Sequence, residues 1–306
     1  MKIAVIGAGA MGSLFGGLLT EAGREVWLLD VWEDHVNALN ANGLTIERDG
    51  VPRVVRPRAT TDPAVIGKVD LVIVFVKSTQ TEAAGNTAAR LVDADGWVLT
   101  LQNGMGNADI LGRAVDPGKV LAGTTSHGAT LLGPGKIRHA GTGPTRIGPW
   151  AGEDRIMAGK VAGVLSAAGI ETEVADNVHA LVWHKLFINV GINAITALTG
   201  IKNGEILDLD VTRNLSRNAV EEAVAVARAK GVPVADDVVD HVFQVADATA
   251  ANRSSMGQDV DNQRLTEISA INGAVVREAE ACGVATPVNG TLTALVETLQ
   301  AHYGKK

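Results

Sequence analysis

K-I-A-V-I-G-A-G-A-M-G-S-L-F-G-G-L-L-T-E-A-G, residues 2–23, is the stretch that decides the fold. Its first five residues read as a buried strand. Gly7-Ala8-Gly9-Ala10-Met11-Gly12 follow at once, and an apolar helix then runs to about Ala22, with Gly23 closing it. A G-x-G-x-x-G run between a strand and a helix is the fingerprint of a dinucleotide-binding βαβ unit. Gly7 permits the tight turn, Gly9 lets the backbone approach a pyrophosphate, and Gly12 lets helix and strand pack closely. The helix start offers N–H groups and a positive dipole end to the phosphates.

Outward from this stretch, the next strand, R-E-V-W-L-L-D at 24–30, ends in an acid. Asp30 lies where a carboxylate can bond both ribose hydroxyls of the dinucleotide. It would repel a 2′-phosphate, and the following Val31-Trp32-Glu33-Asp34 are acidic rather than basic. The reading therefore leans to NAD(H), with NADP(H) possible. The competing use for Asp30 is as a cap for a helix over 33–42. Residues 44–58 read as a hairpin turning at Asp49-Gly50. The apolar run 70–76 is a strand covered on both faces, and Lys77-Ser78-Thr79-Gln80 stand at its C-terminal end, where open parallel sheets bind ligands. Lys77 and Gln80 are thus candidates for the adenosine side, although a solvated loop lysine fits position 77 equally well. The strand 96–101 ends in Gln102-Asn103-Gly104-Met105-Gly106, which places Asn103 where nicotinamide and substrate would meet. Asn-Gly is also a plain turn signal. A strand at 120–130 follows. Short strands at 136–139 and 145–148 read as antiparallel strands at one sheet edge, and a helix at 154–168 and a strand at 170–174 complete the half. Residues 1–176 are expected to form a doubly wound, mostly parallel Rossmann sheet.

Past Asp176 the pattern turns helical, so residues 177–306 are assigned to a second domain. Its first helix, near 182–198, reads V-W-H-K-L-F-I-N-V-G-I-N-A-I-T-A-L. Lys185, Asn189 and Asn193 recur at i, i+4 and i+8, within an arc of about 80° on an otherwise apolar helix. Buried Lys and Asn are costly unless something satisfies them. A substrate with a carboxylate and a carbonyl would do so. The plainer alternative has Lys185 snorkelling to solvent and the Asn side chains bonding nearby backbone. Helices are expected at 211–230, 236–249, 259–282 and 290–302, with Gly231-Val232-Pro233 and Gly283 to Pro287 as stops.

Composition narrows the function classes. At 306 residues the chain is long enough for two domains, and a content of 46% hydrophobic and 20% charged residues is ordinary for a globular protein. The single cysteine, Cys282, excludes an internal disulfide and a cysteine metal cluster. A net charge of −7 offers no broad basic surface for nucleic acid. Neither a leader pattern nor an uninterrupted membrane-spanning run is read, so a cytoplasmic location is the default expectation. No histidine cluster has metal-ligand spacing, so no metal is expected.

Reducing a ketone needs a hydride at carbon and a proton at oxygen. Protonated Lys185 is the best donor in the helical half, because burial lowers its pKa toward neutrality while a carboxylate raises it again. His184 lies about 100° round the helix from that face and ranks below it. Glu267 could be the carboxylate, although a Glu in a long helix more often faces solvent. Asn252 and Ser255 add uncharged donors suited to a substrate carboxylate.

These motifs carry a resemblance. G-A-G-A-M-G at 7–12, V-K-S-T-Q at 76–80, Q-N-G-M-G at 102–106, W-H-K-L-F-I-N-V-G-I-N at 183–193, N-R-S-S-M at 252–256 and T-E-I-S-A-I-N-G at 266–273 resemble the ketopantoate reductase family nearly end to end. The resemblance implies a Rossmann domain, a helical domain like the C-terminal domain of 6-phosphogluconate dehydrogenases, and an active site in the cleft. It implies Lys185 as general acid, Glu267 supporting it and binding the substrate hydroxyl, and Asn103, Asn189, Asn193, Asn252 and Ser255 as substrate ligands. The implied reaction is NAD(P)H reduction of 2-dehydropantoate to (R)-pantoate, toward pantothenate and coenzyme A, in a homodimer. Family members typically prefer NADPH and carry a basic residue just after the second strand, where this chain has Asp30-Val31; the lysine matching Lys77 is kept. Two alternatives stay open: an NAD-dependent (R)-2-hydroxyacid dehydrogenase for another branched or aromatic 2-keto acid, and a non-catalytic NAD(H) sensor.

Overall fold

Twelve strands and eleven α-helices follow one another in the computed structural model, which describes residues 1–304. The first half comprises β1 (Lys2–Ile6), α1 (Ala10–Glu21), β2 (Glu25–Leu29), α2 (Glu33–Asn42), β3 (Leu44–Arg48), β4 (Val51–Val55), β5 (Arg58–Thr60), β6 (Val69–Val74), α3 (Thr81–Leu91), β7 (Val92–Thr100), α4 (Asn107–Ala114), β8 (Val120–Thr125), β9 (Gly128–Gly133), β10 (Lys136–Gly141), β11 (Thr145–Pro149), α5 (Ile156–Ala167) and β12 (Thr172–Val174). The second comprises α6 (Val178–Thr199), α7 (Asp210–Ala229), α8 (Val238–Ala248), α9 (Ser255–Asp261), α10 (Asn272–Cys282) and α11 (Pro287–Gln300). The chain forms two compact units: residues 1–102 with 107–178, and residues 103–106 with the described residues from His179 onward.

The first unit is a Rossmann-like α/β body. Its main sheet has eight strands in the order β12-β11-β8-β7-β6-β1-β2-β5, parallel except where β11 meets β8. The strand carrying the glycine loop is therefore central, paired with β2 on one side and β6 on the other. Side chains alternate across a strand, so Ile3 and Val5 enter one core with α1 and α5, while Ala4 and Ile6 enter another.

A second sheet, in the order β4-β3-β10-β9, was not foreseen. It covers α1, whose Gly17 lies against Leu44 and Ile46. The expected strand 120–130 is two strands in different sheets. The Ser126 N–H is taken by the Pro144 carbonyl at 3.0 Å, and the chain turns there. The strand expected at 136–139 is also not at the edge of the main sheet: β10 pairs in parallel with β3.

The second unit is all-helical. α6 is long and apolar enough to pass a membrane-span test on length and composition, but most of it is buried as the centre of this unit. Trp183, Leu186, Phe187, Val190 and Ile195 pack there with residues of α7, α8, α10 and α11. The single helix expected at 259–282 is broken into α9, a turn and α10. Gln263 adopts a left-handed φ of 51°. The Arg264 N–H reaches back to Asp259 O at 2.8 Å and the Gln263 N–H to Val260 O at 3.0 Å. That is a Schellman stop without a glycine. Gln300 Oε1 then accepts the Thr266 N–H and hydroxyl, both at 3.0 Å, and holds the turn that carries Glu267.

Candidate active site

Within the α/β unit the glycine loop follows β1 directly. Gly7 has a φ of 92°. A Cβ on Gly12 would lie 1.8 Å from the Gly7 carbonyl oxygen, so only glycine closes this turn. A Cβ on Gly9 would meet nothing within 4 Å, and that residue is exposed. The loop thus has a tight inner side and an open outer side, with the first N–H groups of α1 free of intrahelical partners. This cradle fits the pyrophosphate of a dinucleotide.

Asp30 is bonded into the same loop. Its Oδ2 accepts the Ala8 N–H at 2.6 Å and its Oδ1 accepts the Trp32 N–H at 3.0 Å. It does not cap α2: the cap residue is Trp32, and no side chain caps that helix. Each oxygen accepts one N–H and keeps lone-pair capacity for a ribose hydroxyl. Lys77 is half-buried and precedes a short 3₁₀ turn, Ser78–Gln80, in which Gln80 is exposed.

The helical unit gathers a second set of groups. The Asn103–Gly106 segment packs with this unit rather than with the sheet it follows in sequence. A Cβ on Gly104 would lie 2.3 Å from Ala270 O, and the Met105 N–H donates to that same oxygen at 2.8 Å. This anchoring brings Asn103 Nδ2 to 3.5 Å from Glu267 Oε2. Glu267 is buried, not on a solvated helix face. Its charge opposes the effect of burial on Lys185, whose pKa burial pulls down to about 8. Lys185 itself is half-buried.

Further along the same face of α6, Asn189 Nδ2 and Asn193 Nδ2 are buried with no hydrogen-bond partner among the described residues. Buried amide donors normally find an acceptor. The arrangement is therefore a proton-holding lysine, a carboxylate beside it, and a row of unspent donors, which suits an oxygen-rich anionic ligand.

Asn252 and Ser255 are exposed. The neighbouring residues fix this segment instead. Ser254 Oγ caps α9 by accepting the Gly257 N–H at 2.9 Å, and Thr196 Oγ1 lies 2.6 Å from it. Arg253 donates to the carbonyls of Thr196 and Ile201 at the C-terminal end of α6, and pairs with Asp261 through two nitrogens. Sequence reasoning passed over both residues. The serine directly before a helical segment was the available signal for the cap.

Comparison with known proteins agrees with this architecture. The family model for ketopantoate reductase PanE/ApbA matches residues 3–152, and that for its C-terminal domain matches residues 177–300. A 2-dehydropantoate 2-reductase of Halobacterium salinarum is 42% identical over 98% of this chain and 99% of its own length. Among solved structures, a D-mandelate dehydrogenase with NADH and anilino(oxo)acetate superposes with a TM-score of 0.93 at 32% identity, covering 98% of both chains. A PanE/ApbA family ketopantoate reductase from Ralstonia eutropha superposes at 0.90 and 35% identity, covering 98% of this chain and 99% of its own. Fold and sequence likeness together place the chain among the NAD(P)H-dependent oxidoreductases of the 2-hydroxyacid class. The chain belongs to the ketopantoate reductase PanE/ApbA family.

Proposed function

We propose that this protein reduces 2-dehydropantoate to (R)-pantoate with NADH. The observation that carries the reading is the buried Glu267 beside Lys185, at the head of the Asn189–Asn193 face. Residues 7–12 would hold the cofactor pyrophosphate and Asp30 its adenosine ribose, with Lys77 and Gln80 toward the adenine end. The bound cofactor supplies the hydride. Lys185 in its ammonium form gives the proton to the ketone oxygen, and a pKa near 8 leaves it mostly protonated at neutral pH yet acidic enough to transfer. Asn189, Asn193, Asn252 and Ser255 receive the substrate carboxylate and carbonyl, and Asn103 orients Glu267 and the substrate. Residues 1–176 and 177–306 serve as the cofactor and substrate domains of a cytoplasmic homodimer.

Glu267 favours this substrate over a plain 2-keto acid. 2-Dehydropantoate carries a terminal hydroxyl that can donate to the carboxylate. An analogue without it forgoes a hydrogen bond to this buried carboxylate. NADH is favoured over NADPH by Asp30 and the acidic Glu33 and Asp34 behind it. A second reading, an NAD-dependent (R)-2-hydroxyacid dehydrogenase, is favoured by the close superposition on the D-mandelate dehydrogenase.

The test is kcat/KM for 2-dehydropantoate, 2-ketoisovalerate and phenylglyoxylate, each with NADH and NADPH. We expect 2-dehydropantoate with NADH to lead by at least about tenfold. Faster turnover of phenylglyoxylate or 2-ketoisovalerate replaces the first reading with the second. A preference for NADPH overturns the role given to Asp30.

A further inference from the structure

His35 has no place in the chemistry above, yet it is fully buried in the first turn of α2 and both its ring nitrogens are bonded. The Gly135 N–H, in the turn between β9 and β10, lies 3.1 Å from Nδ1, and Ser13 Oγ lies 3.2 Å from Nε2. The Ser13 hydroxyl is also 2.7 Å from the Ala8 carbonyl. Donor chemistry fixes the direction of every link. An amide N–H can only donate, so Nδ1 is the acceptor and the neutral ring carries its hydrogen on Nε2. A carbonyl can only accept, so Ser13 gives its hydrogen to Ala8 and accepts from His35. The chain runs Gly135 to His35 to Ser13 to Ala8 without a mismatch. Burial lowers the His35 pKa, which keeps the imidazole in the neutral form that this chain requires.

Ala8 sits between Gly7 and Gly9, and its N–H is already held by Asp30. Bonding its carbonyl as well fixes both peptide planes of the cradle. The Trp32 ring stacks on the imidazole with centroids 5.3 Å apart and planes 10° from parallel. The Trp32 N–H holds the other oxygen of Asp30. One ring therefore reaches both arms of the cradle, Ala8 through Ser13 and Asp30 through Trp32. We propose that His35, acting through Ser13, is a positioning residue for cofactor binding, setting the Ala8 peptide and the Asp30 carboxylate in their binding geometry.

This inference rests on residues 7–12 and Asp30 being the dinucleotide cradle. The experiment is NADH affinity by fluorescence titration in the absence of substrate, with thermal melting alongside, for His35→Gln, His35→Asn, Ser13→Ala and Asp30→Ala. Gln can place an amide N–H where Nε2–H stands and so keep the donor to Ser13. Asn can replace only the acceptor toward Gly135. The expected result is that His35→Asn and Ser13→Ala each weaken NADH by about tenfold, that combining them adds little, and that His35→Gln stays within about threefold of wild type. Equal NADH affinity in His35→Asn and His35→Gln, whatever their melting temperatures, overturns the proposal. Wild-type affinity in Ser13→Ala also overturns it, and that variant covers the case in which a His35 variant fails to fold. Asp30→Ala separates the two layers: if it too binds NADH normally, the cradle assignment fails first. None of these readings depends on which keto acid is reduced.

Discussion

Two polar clusters, the glycine loop of the α/β unit and the α6 face of the helical unit, treat their buried groups in opposite ways. In the α/β unit the glycine loop is braced at Ala8, which is held at its N–H by Asp30 and at its carbonyl by Ser13, and Ser13 by His35. In the helical unit, Asn189 and Asn193 keep buried amide nitrogens with no partner among the described residues, and Lys185 stands at the head of their row with its pKa lowered. The first arrangement presents backbone to a ligand and spends its side chains on rigidity. The second presents side chains and leaves donors unspent, at a cost to stability of about 1–3 kcal/mol for each unsatisfied group. A site that binds a constant cofactor can be built the first way. A site that must discriminate one small acid from another needs the second.

The largest expected effect is at Lys185. Lys185→Ala removes the proposed proton donor and is expected to lower kcat for keto-acid reduction by about 10³-fold. NADH affinity, set in the other unit, should stay within about twofold. Stopped-flow turnover with a parallel NADH titration checks both. Lys185 must be charged to donate, so kcat/KM for reduction is expected to fall as pH rises through about 8. Oxidation of the hydroxy acid needs the neutral amine and should rise over the same range. Glu267→Gln removes the charge that raises the Lys185 pKa, so the break should move to lower pH. Turnover that survives in Lys185→Ala, or a break that Glu267→Gln does not move, breaks the contrast between the two units.

A smaller effect is expected on the asparagine row. Asn189→Ala or Asn193→Ala is expected to raise KM for the keto acid about tenfold or more, since a hydrogen bond to a charged acceptor contributes about 1.5–3 kcal/mol. Because each amide nitrogen is unsatisfied in the folded chain, its loss should offset much of the packing penalty. The melting temperature should then drop less than for a satisfied buried polar residue such as Asn289, which donates to Ala219 O at 2.9 Å and to Glu222 at 2.7 Å. Equal melting penalties at Asn193 and Asn289 would show that the row is structural.

What the residues reveal in advance follows from how local the cause is. The Rossmann body was legible because β1, the glycine loop and Asp30 each act within a short stretch, and the Asp49-Gly50 turn likewise marks the hairpin of β3 and β4. The Lys185–Asn189–Asn193 row was legible because helical spacing alone places it on one face. Features fixed by distant partners were not legible. The helix stop at Gln263 carries no Gly or Pro, and the turn is held by Gln300 from the far end of the chain. That stop moves Glu267 off a helix and into a buried position, which helical periodicity cannot foresee. The second sheet depends on β3 pairing with β10, and nothing in residues 120–130 marks where β8 leaves one sheet and β9 joins the other.

The smallest effect concerns a third polar arrangement, intermediate between the two. His127 Nδ1 and His139 Nε2 are 3.1 Å apart, with the rings stacked, while His127 Nε2 and His139 Nδ1 are buried without partners among the described residues. His35 is satisfied at both nitrogens, whereas each ring of this pair is satisfied at one. Burial lowers the pKa of all three histidines, and Arg48 lowers both members of the pair further. The unfolded chain takes up protons below about pH 6.5, its ordinary histidine value, where the folded chain still resists them. Stability should therefore be full above that pH and decline as pH falls, by up to about 1.4 kcal/mol per pH unit for each proton by which the two states differ. In melts between pH 7 and pH 5, a His127→Gln/His139→Gln double variant should show a shallower decline than wild type. His35→Gln should remove only the smaller, single-proton share. If the pair variant declines as steeply as wild type, the carboxylates govern acid stability. The half-satisfied pair would then be as well accommodated as the braced Ala8, which removes the gradation between the two kinds of site.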